Sequence, residues 1–287
     1  MTELGDEDRP ETPAADVFAA VANQTRIDIL RALWNVGDPM PFSEVQATVG
    51  VEDGGRFNYH LGELVGRFVR RTGDGYKLTF AGEQFVGALY SGTYTDSAVM
   101  APLEVGVCPT CDGRLEATYE EEIVTVTCDD CGRTITRFGA PPGLVAAADR
   151  SELPQVLSDW VHTSFQRTAR GFCTYCSGRV RASIGRDLWE QTDLLGACYD
   201  CESCGSTFQA SIAAATLDHP EVVAFNYEHG IDLNENRIWE VPWLFDFDAS
   251  VESETPLRVE VRFEFDDDPL VIHLGPDLRV TGVSRPN

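Results

Sequence analysis

Apolar positions in the N-terminal third of the chain recur with a helical period. The pattern is clearest between Pro41 and Thr79, which reads as a helix, a turn, a second helix and a β-hairpin. In the second helix Phe57, Leu61, Leu64 and Phe68 recur at i, i+4, i+7 and i+11 and make one apolar face. At about 100° per residue, Tyr59, Gly62, Glu63 and Gly66 point away from that face, with Arg56 and Arg67 on one shoulder and Asn58 on the other. The two glycines would let the helix backbone lie close to a partner. Phe68–Arg71 and Tyr76–Thr79 flank Gly73-Asp74-Gly75, a segment that tolerates positive φ and predicts a hairpin. Upstream, Ala14–Ala22 predicts a helix through Val17, Phe18 and Val21. Asn23 can cap the next, whose Ile27, Leu30 and Leu33 or Trp34 keep helical spacing until Gly37-Asp38-Pro39. Thr79 can cap a last helix through Phe85, Val86 and Leu89 to about Tyr90. This order of elements, over residues 14–95, is that of a winged helix-turn-helix.

Beyond it the pattern changes to a period of two. Leu115–Tyr119 and Ile123–Thr127 read as strands within residues 104–140. Ser151-Glu152-Leu153-Pro154 opens a helix with Val156, Leu157, Trp160, Val161, Ser164 and Phe165 at helical spacing, the start of a segment running over 149–217. From His219-Pro220 a further helix leads to Gly230, then to an apolar run, Trp239–Phe245, that fits a core or a partner surface. Leu257, Val259, Val261, Phe263 and Phe265 alternate with Arg258, Glu260, Arg262 and Glu264. With 270–274 and 278–283 they predict an antiparallel meander in residues 218–287. The fold class is therefore α+β and multidomain. Residues 1–13, acidic and with two prolines, predict a disordered tail.

Charge changes this picture. The 287 residues carry 22 basic and 47 acidic side chains, net −25, and Lys77 is the only lysine. A surface so acidic and so poor in lysine suits a cytoplasm with molar salt, where charge repulsion is screened over ~3 Å. Residues 14–90 hold seven basic and nine acidic side chains, so they are the least repulsive part of the chain toward phosphate. Their positive charges gather on the second helix and the hairpin, at Arg56, Arg67, Arg70, Arg71 and Lys77. Tyr59 fits a base or sugar contact, and His60 either a phosphate contact or a boundary position. Arg26 suits a structural pairing with a carboxylate at the start of its own helix. No apolar run is long enough for a transmembrane helix and the N-terminus lacks a signal-peptide pattern, so the expected location is cytoplasmic with no membrane partner.

Nine cysteines in such a chain point to metal rather than disulfides. Cys108-Pro-Thr-Cys111 and Cys128-Asp-Asp-Cys131 are separated by sixteen residues, as two knuckles presenting four thiolates at about 2.3 Å to one zinc ion. Cys173-Thr-Tyr-Cys176 and Cys201-Glu-Ser-Cys204 repeat the motif with twenty-four residues between, leaving Cys198 spare or as an alternative to Cys204. Both sites predict zinc ribbons holding two structural Zn²⁺ ions. Four thiolates leave no open position for water, and no HxE or HExxH base stands beside a cysteine pair, so no enzyme is expected. Residues 104–140 hold three arginines and eight acids, a balance that suits bracing or protein contact rather than phosphate.

The runs Asn23–Leu30, Phe42-Ser43-Glu44-Val45, Phe57-Asn58-Tyr59-His60-Leu61 and Gly75–Thr79 with Ala81-Gly82 resemble the ArsR-type winged-helix regulators of halophilic archaea. The resemblance covers the first third of the chain, and the cysteine clusters and the His219-Pro220 segment are features associated with such regulators. It implies that the helix bearing Arg56, Asn58, Tyr59 and His60 enters the major groove of double-stranded DNA. It also implies a homodimer paired through the first and last helices of the motif. Metal-sensing members carry cysteines in the first helix of the helix-turn-helix, and Phe42–Val49 has none. By analogy with one-component regulators, the C-terminal region would meet a small-molecule effector or a protein partner. The other reading is a zinc-ribbon adaptor whose winged helix docks on a protein.

Overall fold

A computed structural model describes residues 12–186, 195–265 and 268–286, so most of the expected N-terminal tail lies outside the described residues. The chain is α+β, with eight α-helices among the described residues, and divides into two compact units between Asp96 and Ser97.

The first unit runs α1 (Ala14–Val21), α2 (Gln24–Val36), α3 (Phe42–Val49), α4 (Gly54–Leu64), β1 (Val69–Thr72), β2 (Gly75–Leu78) and α5 (Phe80–Tyr90). Its core gathers Ile29, Leu30 and Leu33 from α2, Val45 from α3, Phe57, Leu61 and Leu64 from α4, and Val86 from α5. Three sequence expectations change here. Helix α4 stops at Leu64, because Val65 is extended and Gly66 takes φ 92°. Phe68 reaches the same core from beyond that bend, and Gly66 lies off the helix. Asn23 occupies the N-cap position of α2 but its side chain makes no cap hydrogen bond, and its Oδ1 is buried without a partner among the described residues. Phe18 is exposed, and α1 packs on the core through Val21 and the partly buried Val17. Thr79 does cap α5, accepting from Gly82 N.

The hairpin β1–β2 turns through two residues, Gly73-Asp74, and Met40 extends it by exchanging backbone hydrogen bonds with Tyr76 at 2.9 and 2.8 Å. Gly75 is required at that junction. It has φ 141°, and a Cβ there would stand 2.2 Å from the Met40 carbonyl oxygen.

Among the described residues the second unit holds three antiparallel sheets. The first is β3 (Met100–Val107), β4 (Arg114–Glu120), β5 (Ile123–Cys128) and β6 (Thr134–Gly139) in sequence order. After α6 (Pro142–Ala147) and α7 (Leu153–Ala169) come β7 (Val180–Gly185), β8 (Gly196–Cys201) and β9 (Thr207–Ser211), then a 3₁₀ turn Ile212–Thr216 and α8 (Pro220–Glu228). The last sheet is a meander of β10 (Asp248–Glu254), β11 (Leu257–Phe265), β12 (Asp268–Leu274) and β13 (Val280–Ser284). Two cores result, and α7 runs along both. Its Leu153, Leu157 and Val161 pack with the first sheet, while Phe165 packs with β8, α8 and the meander. The tryptophans of the Trp239–Phe245 run are divided in the same way. Trp239 enters the first core and donates to Val105 O at 3.0 Å, and Trp243 enters the second and donates to Asn226 Oδ1 at 2.6 Å. That run is core. No described helix is long and apolar enough to cross a membrane.

Candidate metal centres and nucleic-acid surface

Each knuckle is built by the same backbone device. The residue after its second cysteine turns left-handed, with φ 59° at Asp112, 69° at Gly132, 60° at Ser177 and 73° at Gly205. Its N–H then donates back to the carbonyl of the first cysteine, as from Asp112 to Cys108 at 3.0 Å and from Ser177 to Cys173 at 3.0 Å. Glycine makes that turn at two positions, and Asp and Ser make it at the other two. The paired knuckles also match in detail. Cys108 N donates to Gly113 O and Cys173 N to Gly178 O, while Asp129 N donates to Arg114 O and Glu202 N to Arg179 O. Gly113 and Gly178 hold equivalent tight places, since a Cβ on either would strike Asp130 or Ser203 of the facing knuckle. The duplication read in the motif extends to these contacts.

The four thiols of Cys108, Cys111, Cys128 and Cys131 lie within 4.8 Å of one another, and so do those of Cys173, Cys176, Cys201 and Cys204. Sulfur pairs stand 3.5 Å apart at Cys111–Cys128, 3.8 Å at Cys173–Cys204 and 3.5 Å at Cys176–Cys201. A tetrahedral ion with Zn–S of about 2.3 Å has sulfur–sulfur edges of ~3.8 Å, so both sets fit zinc. All eight cysteines are free thiols. Burial pushes the Cys108 thiol up, but N–H groups of Thr110 and Cys111 and neighbouring thiols bring it down to about 7. At Cys111 the Gly113 N–H pulls down, and the other thiols outweigh it and hold the proton to about 12. The second site repeats this. Burial raises Cys173, the Ser206 hydroxyl and backbone N–H groups lower it to about 6, and Cys176 stays near 12. A cluster of this kind ionises fully only around a dication. Ser206, 3.3 Å from Cys173 Sγ and 3.2 Å from Cys204 Sγ, has no counterpart in the first site, and nothing in the sequence marks it. Cys198 sits on β8, in register with Ser183 and Gln209, and is not among the four.

A third set of potential ligands, Glu252, Glu260 and His273, lies on the meander, with His273 Nδ1 2.9 Å from Glu252 Oε1. His219 caps α8 through Nδ1, and His229 stacks on Phe265 at 4.9 Å.

In the first unit, Asp53 fixes the start of α4 by accepting from Gly55 N at 2.8 Å and Arg56 N at 3.1 Å. Arg56, Asn58 and Tyr59 then emerge on the solvent side, Tyr59 with 58% of its surface exposed. Gly62 faces open space. His60 instead points inward. It is buried, its Nδ1 has no partner among the described residues, and burial with the Arg26 and Arg56 charges holds its pKa below 6.5. Its burial favours the boundary position over a phosphate contact. Arg26 is also buried, donating to Ala19 O and Ala20 O at the end of α1, and it pairs with Glu63 of α4 at 3.5 Å. Its carboxylate partner is thus on another helix, and its guanidinium lies 5.6 Å from the centre of the Tyr59 ring. On the hairpin Arg70 and Lys77 are cross-strand partners on the solvated face. Arg71 points to the opposite face, where it hydrogen-bonds Tyr76. Arg67 is half-buried in the bend before β1.

A family described as a domain of unknown function (DUF7351) matches residues 105–280, more than half of the chain, and a second described in the same words (DUF7347) matches residues 14–89. The chain belongs to the DUF7351 family. No curated protein and no solved structure matches it.

Proposed function

We propose that this DUF7351-family chain is a cytoplasmic, homodimeric transcription regulator of the ArsR type, in which residues 14–95 form a winged helix-turn-helix that binds double-stranded DNA. The observation that carries the reading is the solvent side of α4 beside the hairpin. Arg56, Asn58 and Tyr59 stand out from a helix whose other face is anchored, and Arg70 faces Lys77 directly with no acid paired to either among the described residues. Like charges opposite one another destabilise a hairpin, and phosphate between them removes that cost. Arg56, Asn58 and Tyr59 would reach base edges in the major groove, with Arg70 and Lys77 on the backbone. The exposed Phe18 of α1, Trp34 of α2 and Tyr90 of α5 offer an apolar surface for a second subunit. Two structural zinc ions would brace residues 97–287 as the region that meets an effector or protein partner, with no catalytic chemistry of its own.

The test is fluorescence anisotropy on duplex DNA from upstream of the gene, in molar potassium chloride. The chain should bind selectively, and Arg56→Ala with Tyr59→Ala should weaken binding about tenfold or more. Failure of the folded, zinc-loaded chain to bind this or a random-sequence duplex pool would replace the regulator with the adaptor that docks on protein.

A further inference from the structure

In the second unit a cleft of about 400 Å³ opens where the end of α7, the 3₁₀ turn and the β12–β13 turn meet. Its floor is apolar, formed by Phe165, Ala214, Ala215 and Leu278, and continuous with the second core. Alanine at 169, 214 and 215 leaves the space that larger side chains would fill. The rim is polar and cationic. Arg170, Arg279, His219 and Asp218 are the polar and charged residues that line it. Arg170 has no side-chain hydrogen bond or ion pair among the described residues, and Arg279 has only the exposed Asp277 at 3.3 Å. The acid of the cleft, Asp218, accepts from Gln166 at 2.8 Å and lies 3.5 Å from His162; burial raises its carboxyl, and these partners together with the nearby Arg170 charge hold it below the usual range.

We infer that this cleft binds a small organic anion with an apolar body, headed by a carboxylate or phosphate. The volume suits a small ligand rather than a macromolecule. The head group follows from the guanidiniums, which pair with such anions through two parallel hydrogen bonds. In a chain of net −25 only 22 residues are basic, and two of them line this cleft. At molar salt attraction is screened beyond ~3 Å, so selection rests on direct contact. Its role as the effector site rests on the regulator reading above; the binding itself does not.

Titration calorimetry and saturation-transfer NMR on the full chain, in molar potassium chloride, test this with octanoate, octyl phosphate, 1-octanol and acetate. An octyl anion should bind saturably, with 1-octanol and acetate at least about tenfold weaker. Arg170→Ala with Arg279→Ala should weaken the anion about tenfold. Ala169→Trp, at an exposed position, should block the cleft with both zincs retained. No saturable binding of either anion, equal affinity for 1-octanol, or affinity unchanged in both variants overturns the site. An anion that binds but leaves DNA affinity unchanged removes the effector role. Anion binding by a chain that does not bind DNA keeps the cleft and sinks the regulator.

Discussion

His60 and Arg26 show how far a residue's role is set by what surrounds it. Both are polar residues of the first unit's helices, and both are turned inward. Arg26 is used on the carbonyls that end α1, so its replacement acts on the fold. His60 makes a pH signature. The unfolded imidazole takes up its proton near 6.5, whereas burial and the Arg26 and Arg56 charges hold the folded one lower. A depressed folded pKa gives stability that is complete above 6.5 and lost as pH falls through the folded value, because the unfolded state binds the proton first. The melting temperature of the first unit should therefore drop between pH 7 and 5, and His60→Gln should flatten that dependence. An unchanged slope in the variant would place the effect on other groups.

At the scale of elements, the sequence was legible wherever one face was buried. Phe57, Leu61 and Leu64 gave the face of α4, and alternation over 257–265 gave β11. Phe68 kept the helical interval after the helix had ended, because the bend at Val65-Gly66 returns the chain to the same core. Strands β3 and β10 escaped for physical reasons. Irregularities after Met100 and Glu104 break the alternation of β3, and β10 is a mostly exposed edge strand with little apolar pattern. The cysteine spacing located both four-thiol clusters, whereas nothing in it marked the left-handed turns at Asp112 and Ser177. Glycine mattered more at the hairpin. Gly75→Ala sets a Cβ against the Met40 carbonyl at an unfavourable φ, with backbone rather than a flexible side chain in the way. It should destabilise the first unit by about 2 kcal/mol or more, while Gly62→Ala, on an open helix face, should leave it equal or more stable. Urea unfolding followed by helical circular dichroism would compare them. Equal loss in both would show that the Met40–Tyr76 junction does not constrain the hairpin.

For the whole molecule the consequence lies in where the thiols are. Cys108 and Cys128 are part of the first core of the second unit, Cys173 and Cys201 are buried beside the second, and α7 with the two tryptophans joins those cores. The first unit contains no cysteine. Structural zinc contributes on the order of 10 kcal/mol to folding, comparable to the whole stability of a domain, so neither core should persist once its thiols are released. Purified chain should carry two zinc ions. Cys204→Ser should retain one and Cys198→Ser two, since Cys198 lies outside the cluster. Stripping both ions with a chelator should abolish the calorimetric transition of residues 97–287, while NMR signals of α1–α5 remain. Two separate transitions lost one at a time would mean that α7 does not couple the cores. A second unit that melts unchanged without zinc would show that the clusters do not hold its fold together.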